Sequence, residues 1–147
     1  MCKHIDEGLK TNGEPIFKTP NRVSKPDVIL IKDQTAIVLD AQVVGDNADL
    51  NKSHQDKITK YKVLKHSIQE RYSVSKVTFT SLTLSARGII WCCRSFEQLV
   101  ELNLLKRSDV KVISTRVLIG CLYAVNIFNK STQVRRENGR GMRSRLL

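Results

Sequence analysis

No two of the four cysteines, Cys2, Cys92, Cys93 and Cys121, are separated by two residues, so the spacing of a zinc ribbon or a thioredoxin-like redox pair is missing. They read as ordinary thiols of a reducing compartment. No stretch is expected to reach the roughly 18 apolar residues of a membrane-spanning helix, and the amino terminus lacks the apolar core of a secretory signal. The expectation is a soluble, intracellular protein without a membrane partner. Acidic residues are scarce: 14 Asp and Glu stand against 25 Lys and Arg, a formal net charge of +11. Such an excess favours a polyanionic partner, because cations that neutralise phosphates release condensed counterions. Nucleic acid ranks first, an acidic membrane surface second, and a merely solubilising surface remains open. A chain of 147 residues suffices for one buried core. No internal repeat is visible, and the Met1–Ile5 opening has no helix-start signal, as expected of a fragment of a longer product.

Along the chain, the first dozen residues read as the end of a helix stopped at Asn12-Gly13, with an extended segment over Ile16–Thr19 and a turn at Pro20-Asn21. Two apolar, β-branched runs, Val28–Ile31 and Ala36–Leu39, are joined by Lys32-Asp33-Gln34-Thr35 and predict a hairpin, extended by Val43-Val44 and ended by Gly45-Asp46-Asn47. Their continuous apolar character suits strands covered on both faces. Residues 51–72 contain neither Pro nor Gly, and Ile58, Tyr61, Leu64 and Ile68 recur at helical spacing, predicting one long helix. Val77–Leu84 alternates hydroxyl-bearing with apolar residues, a third core strand ending near Arg87-Gly88. Ser95 is a candidate cap for a helix reaching Leu102, and Ser108 opens another in which Ile113, Val117, Cys121, Ala124 and Phe128 share a face. The fold class is therefore mixed α/β, a small mixed sheet flanked by helices. One domain spans residues 1–129, and 130–147, rich in Arg135, Arg136, Arg140, Arg143 and Arg145, reads as a disordered basic tail.

The hairpin carries a chemical consequence. A symmetric turn centred on Asp33-Gln34 pairs Ile31 with Ala36, Ile29 with Val38, and Asp27 with Asp40. Opposed side chains lie about 4.5–5.5 Å apart at Cβ, where like charges repel. Either one carboxyl holds a proton or a divalent cation sits between them. On the predicted long helix, Lys57 lies within about 40° of Tyr61, Leu64 and Ile68, at the centre of the apolar face. A lysine aimed at the protein body meets an anion there or snorkels its stem outward. His54 shares that face and reads as a satisfied core or rim histidine rather than a ligand.

These residues together resemble a known family. Lys25-Pro26-Asp27, then twelve residues, then Asp40 within Val38-Leu39-Asp40-Ala41-Gln42-Val43, then Lys57 and Tyr61, is similar to the restriction-like endonuclease domain of non-LTR retrotransposons, a branch of the PD-(D/E)XK nucleases. The likeness is to the class that inserts site-specifically into ribosomal RNA genes, and it continues through Arg87-Gly88, Trp91, Leu99–Leu105 and Leu118-Ile119-Gly120. It implies a nuclease at the carboxyl end of a reverse-transcriptase polyprotein, nuclear in location, that nicks target DNA to prime reverse transcription. Its partners would be that DNA and, through the full-length polyprotein, the element's RNA. Asp27 and Asp40 would hold magnesium or manganese with help from the Ala41 carbonyl, and Lys57 and Tyr61 would complete the catalytic set. Arg22, Lys25, Lys60 and Arg87 are candidate nucleic-acid contacts. The wider superfamily places its lysine two residues after the second acid, and here that position is Gln42. A basic α/β module without catalysis and a junction-resolvase-like nuclease are the competing readings.

Overall fold

The computed structural model describes residues 10–87 and 90–143, with side chains through residue 132. The predicted hairpin forms as strands β4 (Val28–Lys32) and β5 (Thr35–Val44), with Ile31 opposite Ala36 and Ile29 opposite Val38. The turn has two residues, and Asp33 adopts φ 52°, the left-handed geometry that short aspartate side chains tolerate. Strand β6 (Lys76–Ser85) runs parallel to β5 over ten pairs, and β1 (Lys10–Gly13) adds antiparallel to β4, giving the order β1-β4-β5-β6. A separate ribbon pairs β2 (Phe17–Thr19) with β3 (Arg22–Ser24) around the expected Pro20-Asn21 turn. The sheet is mixed and flanked by helices, as its sequence pattern predicts.

Helix α1 (Leu50–Lys62) is capped by the Asp49 carboxylate, which accepts the Lys52 amide at 3.0 Å. The helix expected to run unbroken to residue 72 is interrupted at Val63-Leu64, where the Leu64 amide bonds the Tyr61 carbonyl three residues back. The chain resumes as α2 (Lys65–Tyr72). No Pro or Gly marks this break; it accompanies complete burial of Leu64 and Ile68. One sheet face packs on these helices, through Ile29, Ala36, Val38 and Phe79 against Tyr61, Leu64 and Ile68.

Other expectations are corrected. Lys10–Gly13 is a strand rather than a helix end, because pairing with β4 overrides a local stop signal. Ser95 does not cap α3 (Cys93–Glu101), whose cap position is Cys92; it is buried against β6. There its hydroxyl donates to the Ser81 carbonyl and accepts the Thr83 amide at 3.3 Å, while the Cys92 amide bonds the Thr83 carbonyl at 3.0 Å and Gln98 Nε2 the Phe79 carbonyl at 3.2 Å. The open edge of β6 is thus satisfied by α3 and its lead-in instead of by another strand.

Helix α4 (Asp109–Arg143) begins one residue after Ser108 and runs to Arg143, into the 130–147 segment expected to be a disordered tail, whose last four residues lie outside the described ones. Its Asp109–Thr132 stretch is long and apolar enough to cross a bilayer by length and composition, contrary to the expectation of no such run. Ser114, Thr115, Gly120 and Asn126 interrupt the apolar letters without ending the helix. The expected strand end at Gly88, the Met1–Ile5 opening and the side chains of the tail arginines lie outside the described residues.

Candidate active site

In a pleated sheet, alternate residues share a face, and parallel partners point the same way. Ala36, Val38, Asp40 and Gln42 of β5 therefore share the α1-facing side with Val77, Phe79, Ser81 and Thr83 of β6, through the pairs Asp40–Ser81 and Gln42–Thr83. That face is apolar where the strands begin and turns polar at Asp40. Helix α1 meets the polar half with Ser53, His54, Lys57 and Tyr61, which recur at helical spacing.

Asp40 is 3 % exposed, and both its oxygens are engaged from α1. Tyr61 donates its hydroxyl to Oδ1 at 2.8 Å, and Lys57 Nζ forms an ion pair with Oδ2. A buried carboxylate needs such partners, since desolvation otherwise drives it to take up a proton. Asp27 immediately precedes β4, one position beyond the terminal Val28–Leu39 pair, and its Oδ2 accepts the Ala41 amide at 2.7 Å. Asp27, at the entry to β4, is therefore tied to the residue next to Asp40 on β5. Burial, the hydrogen bond to Asp40 and the negative charges of Asp40 and Asp27 push the Tyr61 phenol well above its ordinary range, opposed by Arg22. Tyr61 stays protonated at neutral pH and acts as a donor, not as a base.

The predicted cations divide. Arg22 donates from Nη2 to the Lys60 carbonyl at 2.5 Å, and Lys60 reaches the Tyr61 hydroxyl at 3.2 Å with its ammonium 4.7 Å from that ring's centre. Lys25 pairs with Glu14 at 2.5 Å and offers its carbonyl to the Tyr61 hydroxyl at 3.2 Å. These three border the site. Arg87 pairs with Asp46 at 2.8 Å, both beyond the carboxyl ends of β5 and β6, and is not brought to the acids.

The donor set suits a hard divalent cation in kind: two carboxylates, with water and a substrate phosphate able to complete the shell. Among the described residues no cluster of three or more His, Cys, Asp or Glu forms, so protein carboxylates alone would leave part of a cation's shell to other oxygens. His54 is buried and bonded through Nδ1 to Ser81 Oγ at 2.7 Å, a satisfied core histidine as expected. Burial, then the nearby charge of Arg94, hold its pKa below the ordinary value.

Sequence reasoning missed Ser53, Ser81 and Thr83, and treated Gln42 only as a departure. Ser81 and Thr83 sat in the alternation that marks β6 as a strand; the usable signal was polar residues on its inward-facing phase. Also missed was an open groove of about 680 Å³ beside Arg22, lined by Lys18, Thr19, Asn21, Val63, His66 and Ser67 among others, with no carboxylate in its wall.

No family model matches the chain. It is 30% identical over 130 residues to the Retrovirus-related Pol polyprotein from type-2 retrotransposable element R2DM of Drosophila melanogaster, a match covering 83% of this chain and 12% of that protein. Against the Pol polyprotein from type-1 retrotransposable element R2 of Bradysia coprophila the identity is 37% over 121 residues, covering 80% and 14%. Against that of Nasonia vitripennis it is 30% over 131 residues, covering 86% and 13%. The chain thus spans roughly an eighth of the length of these relatives. Its homologues are Pol polyproteins of R2 non-LTR retrotransposons, and its sequence corresponds to one segment of such a polyprotein.

Proposed function

We propose that this chain is a magnesium- or manganese-dependent DNA endonuclease domain with a restriction-endonuclease-like core, which nicks target DNA so that the freed 3′ end primes reverse transcription. One observation carries the reading: Asp27, just before β4, is bonded to the Ala41 amide beside Asp40 on β5, while Lys57 and Tyr61 converge on Asp40 from a helix. Asp27, Asp40 and the Ala41 carbonyl would hold the cation, whose chemistry is to polarise the scissile phosphate and lower the pKa of an attacking water.

The chain's own residues supply the rest. Lys57, a quarter exposed, reaches from Asp40 toward solvent and would neutralise charge developing on the phosphate. Tyr61 holds Asp40 in one orientation and keeps its proton, so the carboxylate remains an acceptor. Arg22, Lys25 and Lys60 flank this point, and the carboxylate-free groove beyond Arg22 offers Lys18 and His66 to a phosphodiester strand. The net charge of +11 favours the same polyanion. In this reading the element's RNA is met through the full-length polyprotein, and the protein works in the nucleus.

The test is magnesium-dependent nicking of supercoiled plasmid, compared with Asp40→Ala. Loss of nicking in the variant, with DNA binding retained, is the expected result; equal activity in both proteins would remove the assigned site.

A further inference from the structure

Because α1 delivers Lys57 to Asp40, whatever sets the height and rotation of α1 over the sheet also sets the position of that ammonium. One turn before Lys57, the helix is tied to both central strands. Gln42 Nε2 donates to the Ser53 carbonyl at 2.9 Å and to Thr83 Oγ1 at 2.9 Å. Thr83 Oγ1 lies 2.7 Å from Ser81 Oγ, which lies 2.7 Å from His54 Nδ1. Ser81 and Thr83 are fully buried and His54 is 4 % exposed, so water does not stand in for a missing partner.

The protons can be placed. The Gln42 amide nitrogen only donates, and each hydroxyl carries one proton. Thr83 accepts from Gln42 and donates to Ser81, and Ser81 in turn donates to His54 Nδ1, which leaves a neutral imidazole protonated at Nε2. The opposite polarity strands the Thr83 proton without an acceptor in this chain of groups. The depressed pKa of His54 agrees with the neutral form.

We propose that Gln42, Thr83, Ser81 and His54 form a one-directional hydrogen-bond brace that clamps α1 to β5 and β6, making Gln42 and His54 positioning residues for Lys57. The role in cleavage rests on the nuclease reading above; the clamp itself does not. Its class of effect is alignment: a misplacement of about 1 Å lowers turnover by up to roughly a hundredfold without weakening binding.

The test uses the full chain. Thr83→Val removes the central hydroxyl at nearly constant shape, Thr83→Ser restores it, and Gln42→Met removes the other end. Ile68→Val, in the core but outside the brace, controls for general destabilisation. Hydrogen exchange of the α1 amides, followed without metal or DNA, should accelerate in Thr83→Val and Gln42→Met relative to β5, and not in Thr83→Ser or Ile68→Val. With magnesium and plasmid, kcat should fall at least about tenfold in the first two at unchanged KM, and recover in Thr83→Ser. Unchanged α1 exchange in both Thr83→Val and Gln42→Met, or unchanged kcat alongside active wild type, overturns the brace. If wild type does not nick DNA at all, the nuclease reading fails, and the exchange experiment still decides whether the clamp exists.

Discussion

The more polar of two helices in this molecule is the better packed. Helix α1 turns His54, Lys57 and Tyr61 inward, onto the Asp40 carboxylate and the Ser81 hydroxyl of the sheet. Helix α4 carries Val112, Leu118, Ile119, Leu122, Tyr123, Val125, Ile127 and Phe128 exposed to solvent, spread around its circumference. Its tie to the described core is at its beginning, where Trp91 Nε1 donates to Ser114 Oγ at 2.9 Å and Trp91 in turn stacks edge-on against Phe96. Composition alone ranks these helices the other way. Specific pairing makes a polar face tolerable in a core, whereas apolar surface is buried only where the chain supplies something to bury it against.

The comparison breaks most easily at the ion pair. Lys57→Met should leave the Asp40 carboxylate buried with Tyr61 as its remaining partner, costing about 3 kcal/mol, near the low end for a broken buried pair because the ammonium is partly exposed. Chemical denaturation at pH 7 measures this. A loss below about 0.5 kcal/mol, the range of an ordinary surface change, would mean that Asp40 is solvated and the polar face is not truly interior.

Tyr61→Phe should cost less, about 1 to 2 kcal/mol, for the hydrogen bond donated to Asp40. It also has a pH signature. The folded phenol's pKa is raised, so the native state keeps a proton that the unfolded chain releases above about pH 10. Wild-type stability therefore falls as pH rises past about 10, and Tyr61→Phe should flatten that fall. An unchanged alkaline slope would assign it to other groups.

His54 gives the smaller, acid-side effect. Its folded pKa is depressed, so below the unfolded value of about 6.5 the unfolded chain binds a proton that the native state resists. Stability should decline between pH 7.5 and 5.5, and His54→Gln should lose that slope whatever its effect at neutral pH. Melting temperatures across this window check the sign; a slope retained in the variant counts against a neutral, braced imidazole.

How legible this was in the sequence follows from the range of the interactions. The β4-β5 register could be counted from a two-residue turn, and with it the neighbourhood of Asp27 and Asp40, because hairpin pairing is local. Lys57 and Tyr61 were legible because helical phase is local too. The β1 strand was not, since its partner β4 lies about 20 residues on. Nor was the break at Val63-Leu64, which no residue type announces. Ser81, Thr83 and Ser95 read as strand or cap residues because their partners come from other elements, and only the assembled α1, α3 and β6 reveal what those hydroxyls satisfy.

The smallest expected effect belongs to α4. Leu122→Gln combined with Phe128→Gln removes large apolar side chains that are 57% and 66% exposed, so little buried area is lost and stability should move by no more than about 0.5 kcal/mol. Solubility should rise, because the change breaks a contiguous apolar surface. If the double variant instead melts several degrees lower, with an unchanged m-value and at a protein concentration where wild type is monomeric, α4 is packed in the free chain. The contrast between a braced polar helix and an uncovered apolar one would then be lost, while the arrangement around Asp40 would be untouched.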